Sequence, residues 1–219
     1  MYRSAVRVHT SVLAAAEKRL LVRIAGRLPR WMNSDHLTAA GALAMLGVGG
    51  CFWAGSSSPV ALAAVIPLLA VNWFGDSLDG TLARVRHQER PRYGYYVDHV
   101  LDAVGFAALM AGLMLGGLMS VPIGLGFLCA YYALVVEIAL AAHVRCTFQM
   151  AFWHIGPTEL RILLAAGTLM LLHSPTVMVF GSRWLLFDVG GVVGIVGLVL
   201  TFAISAIRNG RALYDEERL

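Results

Sequence analysis

Residues 59–84 read PVALAAVIPLLAVNWFGDSLDGTLAR, an apolar run that ends with the two aspartates Asp76 and Asp79. A helix that crosses a bilayer needs about 20 mainly apolar residues, and this stretch supplies them. A carboxylate next to or inside such a helix is costly in free energy, so by default it marks a functional site. The stretch therefore predicts a membrane-spanning helix with a functional site at its C-terminal end.

The composition of the whole chain favours an integral membrane protein. Its 219 residues are 58% hydrophobic and 14% charged, with a mean hydropathy of +0.72, whereas a soluble domain has about 25% charged residues. We predict an all-α membrane fold with six transmembrane helices, over about residues 37–57, 59–83, 96–118, 121–143, 158–173 and 186–207. Short turns join several of these segments. We therefore expect a single domain over 1–219, with the six-helix bundle over about 33–207 and a cytoplasmic tail over 208–219.

The distribution of Lys and Arg predicts the orientation of the bundle. When the N-terminus is placed in the cytoplasm, every Lys and Arg except Arg183 falls on the cytoplasmic side, as the positive-inside rule requires. Both termini are then cytoplasmic, which agrees with an even number of spans. The net charge of +4 therefore marks a membrane face, and we expect no nucleic-acid partner.

The segment before the first span, about residues 1–32, predicts an amphipathic helix. Its basic residues lie largely away from one apolar face, which is formed by Leu13, Leu20, Leu21, Ile24 and Leu28. Such a helix lies in the headgroup region and is attracted to anionic lipids. The alternative is a helix that packs under the bundle.

Four of the 13 acidic residues lie close together, at positions 76, 79, 98 and 102. Asp76 and Asp79 share a face of the second span, and Asp98 and Asp102 share a face of the third. Two antiparallel neighbouring helices would point these four carboxylates at each other. Their mutual repulsion favours bound cations, and hard divalent ions with oxygen ligands fit best. We predict two ions, Mg²⁺ or Mn²⁺, which clamp a diphosphate.

Small and basic residues beside these aspartates leave room for a phosphate-bearing ligand. Gly80 has no side chain, and Ala83 keeps the same face thin one turn further on. Arg84 is placed to pair with a phosphate or an aspartate. Gly94 begins the third span near the same level.

These residues resemble a known signature. The segments Asp76-Ser-Leu-Asp79-Gly80-Thr-Leu-Ala83-Arg84 and Gly94-Tyr-Tyr-Val-Asp98-His-Val-Leu-Asp102 are similar to the D-x-x-D-G-x-x-A-R…G-x-x-x-D-x-x-x-D motif of the CDP-alcohol phosphotransferases. All eight signature positions match. The stretch from Asn33 to Gly41, which includes Thr38, also loosely resembles the start of the first helix in that family.

The resemblance implies a role for each signature residue. The four aspartates Asp76, Asp79, Asp98 and Asp102 would hold two metal ions. The CDP group would be bound by Asp76, Asp79, Gly80, Ala83, Arg84 and Gly94. Asp102 would be the base that deprotonates the acceptor hydroxyl, and His99 is a candidate helper base or a simple interfacial histidine.

The resemblance also implies the partners and the location. The substrates would be a CDP-linked donor lipid or CDP-alcohol and an alcohol acceptor. Members of this size imply a bacterial inner membrane, with the active site on the cytoplasmic side. Members often form homodimers, and the small-residue run from Gly190 to Gly197 serves either a dimer or packing within one chain.

The identity of the two substrates stays open at this stage. In one arrangement within the family, CDP-diacylglycerol donates phosphatidate to a small polar alcohol, and we favour this one. In the other, CDP-choline or CDP-ethanolamine donates to diacylglycerol, and the Asp98-His99 pair and the Gly156–Glu159 segment resemble that group. Candidate residues of the acceptor pocket are Glu137, His143, Arg145, His154, Glu159 and Arg161. Each has a plainer interpretation: Arg145 and Arg161 as positive-inside anchors, and Glu159 as a helix cap.

Two other classes of protein use acidic residues in membranes. A transporter or ion pathway would place them across several helices near the middle of the bilayer. An intramembrane prenyltransferase would carry two separated aspartate-rich motifs. The single contiguous double motif of this chain disfavours both classes.

Overall fold

The computed structural model describes residues 6–8, 14–145, 147–149 and 157–218. Seven helices account for most of them: α1 (Ala14–Ala25), α2 (Ser34–Ala54), α3 (Pro59–Val85), α4 (Pro91–Leu115), α5 (Val121–Arg145), α6 (Pro157–His173) and α7 (Leu186–Glu216). Two short strand pairs complete the described chain. Strand β1 (Val6–Val8) runs parallel to β2 (Thr147–Gln149), and β3 (Thr176–Val179) runs antiparallel to β4 (Ser182–Leu185).

The predicted all-α membrane fold is confirmed. Five helices, α2, α3, α4, α5 and α7, are long and apolar enough to cross a membrane, so the chain is a multi-pass integral membrane protein. Helix α6, which matches the fifth predicted span, has 17 residues. That is shorter than the length of about 20 residues that a full span needs, so six complete spans remain a prediction.

The helix boundaries differ from the predicted ones where capping residues decide them. Helix α2 begins at Ser34 because the side chain of Asn33 accepts a hydrogen bond from the His36 amide, and the His36 ring accepts one from the Asn33 amide. This reciprocal capping starts the helix before the apolar run. Helix α4 begins at Pro91, since proline fits the first helical turn. Helix α7 continues to Glu216, so most of the predicted tail is helical.

Close backbone contacts place α2 between α3 and α4. A Cβ atom added to Gly75 of α3 would lie 2.5 Å from the Leu37 carbonyl oxygen of α2, and one added to Gly112 of α4 would lie 2.0 Å from the Gly49 carbonyl oxygen of α2. Only glycine permits such approach. Helices α3 and α4 make little contact with each other. The prediction that these two helices are direct neighbours is therefore wrong, because α2 separates them.

Helix α1 packs against α3 and the start of α2. Leu21 and Ala25 are buried with Leu37, Leu78 and Leu82. On the same predicted apolar face, however, Leu20 is 45% exposed, and Leu13 lies outside the described residues. The contacts fit a helix packed under the bundle, and a location in the headgroup region stays a prediction.

A β-hairpin joins α6 and α7 where a simple turn was expected. Its two turn residues, Phe180 and Gly181, have φ angles of 48° and 79°. Two-residue hairpin loops require such positive φ angles because they match the twist of the strands. Phe180 is fully exposed at the tip, so the hairpin projects from the end of the bundle.

Candidate active site

One cavity of about 50 Å³ brings together all four aspartates of the signature. Helix α3 contributes Asp76 and Asp79, and α4 contributes Asp98 and Asp102. The remaining lining residues come from α2, α3, α4 and α6: Thr38, Gly41, Ala42, Met45, Asn72, Leu101 and Arg161. Both carboxylate pairs therefore face one space although α2 lies between their helices.

Asp79 is the most enclosed of the four aspartates, with 7% of the residue exposed. Its Oδ2 atom accepts a hydrogen bond from the Thr38 hydroxyl at 2.6 Å, and its Oδ1 atom accepts one from the Gly80 amide at 2.5 Å. The Ser34 hydroxyl donates to its main-chain carbonyl at 2.8 Å. Residues from the first turns of α2 thus fix the position of this carboxylate.

The other aspartates are more accessible. Asp76 and Asp98 are half-buried, and Asp102 is exposed. A proton acceptor must lie within hydrogen-bond reach of the group that it deprotonates. Among the four, Asp102 is the aspartate whose residue has the largest exposed fraction.

Arg161 enters this cavity from α6 and bonds to α3. Its Nε atom donates to Asn72 Oδ1 at 2.7 Å, and its Nη2 atom forms an ion pair with Asp76 Oδ2 at 2.5 Å. The side chain is 14% exposed. Its Nη1 atom is buried and has no hydrogen-bond partner among the described residues. A buried donor without a partner is costly, so this guanidinium keeps a hydrogen-bonding capacity that the described residues do not use.

The donor set fits a hard divalent cation. Four carboxylates that line one space provide the oxygen ligands that Mg²⁺ and Mn²⁺ prefer. Within the described ranges, however, no three acidic, histidine or cysteine side chains already have the spacing of a metal site. Arg161 takes one oxygen of Asp76 and supplies positive charge there.

The predicted CDP-binding residues Gly80, Ala83, Arg84 and Gly94 do not line this cavity. Two of them nevertheless have free space. A Cβ atom added to Gly80 would contact only the Arg84 guanidinium, at 3.4 Å, and one added to Gly94 would contact nothing within 4 Å. Packing between helices therefore does not explain these two glycines, in contrast to Gly75.

The predicted acceptor-pocket residues divide into two groups. Arg161 lies in the cavity, whereas Glu137 and Arg145 bond to α7. Glu137 accepts hydrogen bonds from Ser205 at 2.8 Å and Asn209 at 2.6 Å, and Arg145 donates to Asn209 at 2.7 Å. These contacts join α5 to α7. The remaining candidates are placed as follows: His143 is exposed in the last turn of α5, Glu159 is half-buried in the first turn of α6, and His154 lies outside the described residues.

His99 does not line the cavity either. Its Nδ1 atom lies 2.8 Å from the Tyr95 carbonyl oxygen, and its ring lies 4.1 Å from the Tyr95 ring. These contacts lie within its own helix, and both interpretations of His99, as a helper base or as an interfacial histidine, stay predictions.

Asn72 was not among the predicted site residues. This residue is 6% exposed and joins three helices, because it donates to the Gly41 carbonyl at 2.9 Å and accepts from Arg161. A signal for it existed: an amide inside an apolar span, one helical turn before Asp76 on the same face. The role of Thr38 had no comparable signal, since its contact with Asp79 depends on how α2 crosses α3.

The fold and this cavity define a multi-pass membrane protein with a carboxylate-lined site. The sequence model of the CDP-alcohol phosphatidyltransferase family matches residues 31–203. That match covers most of the chain, and the protein belongs to this family. It is therefore a transferase that acts in phospholipid biosynthesis. Among curated proteins, none matches the chain.

Proposed function

We propose that this protein is a metal-dependent enzyme that transfers a phosphatidyl group from CDP-diacylglycerol to the hydroxyl of a small polar alcohol. The family as a whole transfers a phosphate group from a CDP-alcohol to an acceptor. The observation that supports a working site in this chain is that its four signature aspartates line one cavity. What we propose beyond the family's general activity is the identity of the donor, the requirement for a metal ion and the class of acceptor.

Asp76, Asp79, Asp98 and Asp102 would hold two ions, Mg²⁺ or Mn²⁺. When bound, such ions neutralise the negative charge that builds on the diphosphate during transfer. The enclosed Asp79, with its carboxylate oriented by Thr38, is suited to be a fixed ligand.

Asp102 would accept the proton in the reaction. The acceptor oxygen forms a bond to the phosphorus that carries diacylglycerol, and the bond from that phosphorus to the bridging oxygen breaks. CMP leaves with the electron pair of the broken bond, and the proton of the acceptor hydroxyl goes to the carboxylate of Asp102. The exposure of this side chain supports its assignment as the base.

The free space at Gly80 and Gly94 supports a nucleotide site beside the cavity. There the CDP group can approach the helix backbone without meeting a side chain. Asp76 and Asp79 would contribute to the same site from the cavity side. Ala83 would keep the adjacent surface thin, and the exposed guanidinium of Arg84 would bind a phosphate.

Arg161 favours an anionic acceptor such as a phosphorylated alcohol. Its buried Nη1 group lacks a partner among the described residues, and a phosphate oxygen would satisfy it. This observation favours CDP-diacylglycerol with a polar acceptor. The alternative is CDP-choline or CDP-ethanolamine with diacylglycerol, and the choice of donor distinguishes the two arrangements.

The experiment is a donor panel. Purified protein receives labelled CDP-diacylglycerol, CDP-choline or CDP-ethanolamine with Mg²⁺ or Mn²⁺ and a set of alcohols, including phosphorylated ones, and CMP release is measured. We expect release from CDP-diacylglycerol alone, and its loss when EDTA removes the metal. Release from CDP-choline would reverse the proposed arrangement of substrates. Activity that persists in EDTA would overturn the metal requirement.

A further inference from the structure

A carboxylate outside the cavity joins three separate segments of the chain. The Oε1 atom of Glu17, on α1, accepts hydrogen bonds from the Trp73 indole at 2.7 Å, the Ser77 hydroxyl at 3.2 Å and the Thr158 hydroxyl at 2.9 Å. Trp73 and Ser77 belong to α3, and Thr158 belongs to α6. We call these four residues the Glu17 cluster.

On both α3 and α6, a residue of the Glu17 cluster lies close in sequence to a residue that lines the cavity. Ser77 directly follows Asp76 on α3, and Thr158 precedes Arg161 by three residues on α6, so the last two share a face of their helix. Arg161 and Asp76 are the pair that joins these same helices inside the cavity. The Glu17 cluster therefore holds α6 to α3 directly beside that ion pair.

The N-terminal half of α6 depends on these polar contacts. From Leu164 onward, α6 packs on the apolar core through Leu164, Ala165 and Leu171. In its first two turns, Leu160 and Leu163 are 58% and 61% exposed. Apolar burial within the protein thus contributes little to these two turns, which carry Arg161.

Glu17 itself has a fixed position because α1 is fastened to α3 along its length. Leu21 and Ala25 are buried in the cluster that includes Leu78 of α3. Beyond the end of α1, Arg86 of α3 donates to three carbonyl oxygens, those of Leu28, Pro29 and Met32. Helix α1 and the segment after it are therefore attached to α3 by both apolar and polar contacts.

We propose that Glu17 is a positioning residue for the transfer reaction, holding the N-terminal half of α6 against α3 so that Arg161 stays in the cavity. The proposal rests on the proposed role of that cavity in the transfer, and it does not depend on which alcohol is used. The three donors to Glu17 are neutral groups, so the cluster requires an acceptor oxygen and no negative charge. Glutamine at position 17 keeps such an oxygen, and alanine does not.

The first test is kinetic and uses matched variants. Glu17→Ala and Thr158→Val each remove the bond to α6, and we expect a loss of about tenfold in kcat/KM, carried mainly by a higher KM for the acceptor. Glu17→Gln and Thr158→Ser keep the bond and should keep wild-type kinetics. The double variant Glu17→Ala, Thr158→Val should lose no more than Glu17→Ala alone, because both changes break one interaction. Glu217→Ala, at an exposed glutamate, is the control.

The second test needs no activity. Spin labels on Lys18→Cys and Leu163→Cys, in a background without native cysteines, report the distance from α1 to α6 by double electron–electron resonance. We expect a narrow distribution for the wild-type pair and for Glu17→Gln, and a broad one for Glu17→Ala and Thr158→Val. Identical distributions in all four proteins would overturn the proposal, even if activity falls. A wild-type protein that is inactive with every donor but shows the expected distances would instead contradict the proposed function alone.

Discussion

Asp79 and Asp102 have the same side chain but lie in different surroundings. Asp79 is enclosed and accepts hydrogen bonds from Thr38 and Gly80, whereas Asp102 is exposed. An enclosed carboxylate with fixed oxygens is suited to bind a metal ion, and an accessible one is suited to exchange a proton with a ligand. These surroundings support the proposal that Asp79 is a fixed metal ligand and that Asp102, besides holding metal, acts as the base.

We expect Asp102→Asn to lower kcat by at least about 100-fold, since general base catalysis contributes that much or more. Asparagine keeps the size of the side chain but does not accept the proton. Binding of the CDP-linked donor, measured by equilibrium dialysis, should change little. Asp215→Asn, at an exposed aspartate paired with Arg218, is the matched control. Full turnover by the Asp102→Asn enzyme would remove Asp102 from the role of base.

We expect Thr38→Val to weaken metal binding on the order of tenfold, the usual effect of losing a hydrogen bond to a metal ligand. The change leaves Asp79 Oδ2 without its 2.6 Å hydrogen bond while it keeps the shape of the side chain. Thr38→Ser retains the hydroxyl and should bind Mn²⁺ as the wild type does, as judged by Mn²⁺ electron paramagnetic resonance. Equal Mn²⁺ affinities for the valine and serine variants would contradict this role for Thr38.

At the scale of single residues, the sequence predicted the acidic site well. The helical period places Asp76 with Asp79, and Asp98 with Asp102, on shared faces, and all four line one cavity. The period says nothing about which distant residues meet them. Arg161 was therefore one candidate among several for the acceptor pocket. Nothing in the neighbouring sequence indicated that Glu137 would instead bond to Ser205 of α7.

At the scale of helices, glycines separate into those that helix packing requires and those that it does not. Gly75 and Gly112 meet the backbone of α2, while Gly80 and Gly190 have open space or a flexible side chain beside them. The same residue type therefore predicts different effects of substitution: alanine should lower stability in the first group and leave helix packing unchanged in the second.

We expect Gly75→Ala to lower the free energy of unfolding by about 1–3 kcal/mol, the usual cost of overpacking. The added methyl would lie 2.5 Å from the Leu37 carbonyl oxygen, a backbone atom that cannot move aside. Thermal unfolding in detergent, followed by loss of the monodisperse peak in size-exclusion chromatography, measures the change. Gly190→Ala, with no atom within 4 Å, is the control and should melt as the wild type does.

We expect Gly80→Ala to have the opposite pattern, with normal thermal stability and weaker binding of the CDP-linked donor. Its methyl would meet only the flexible Arg84 side chain but would occupy the space proposed for the nucleotide. Equilibrium dialysis with labelled donor and a melting curve on the same sample separate the two effects. Unchanged donor affinity would argue against a nucleotide at this position.

The presence of the long helices was easier to predict than which helices contact each other. The apolar runs marked the five long helices because each run exceeds the length that a bilayer demands. The insertion of α2 between α3 and α4 was not predictable in this way, since it depends on glycine contacts such as Gly49 with Gly112 between residues far apart in sequence. The β3–β4 hairpin was missed because its strands have four residues each, too few for a clear alternating pattern.

At the scale of the whole molecule, the distribution of charge predicts the topology. The loop between α3 and α4 carries Arg86 and Arg90, and Arg92 lies in the first turn of α4, whereas the β3–β4 hairpin carries Arg183 alone. The positive-inside rule places the first of these in the cytoplasm and the second outside. The proposed cytoplasmic active site follows from that assignment, whereas the bacterial inner membrane and homodimer formation remain separate predictions.

We expect a membrane-impermeant maleimide to label Phe180→Cys in intact spheroplasts, and to label Gln88→Cys only after the membrane is permeabilised. Both positions are exposed, so accessibility to the reagent depends on the side of the membrane. The reverse pattern would invert the topology and place the site outside. Unlabelled protein after permeabilisation would show that position 88 is covered by another part of the assembly.

The two kinds of helix contact have a consequence for how such an enzyme can diverge. Main-chain contacts at Gly75 and Gly112 set the separation of the helices that carry the carboxylates, so ordinary side-chain mutations cannot adjust it gradually. Helix α6 is held beside the cavity by the side chains of Thr158 and Arg161, which single mutations can exchange. We therefore expect evolution, and laboratory selection, to alter acceptor preference through α6 while the reaction centre keeps its geometry.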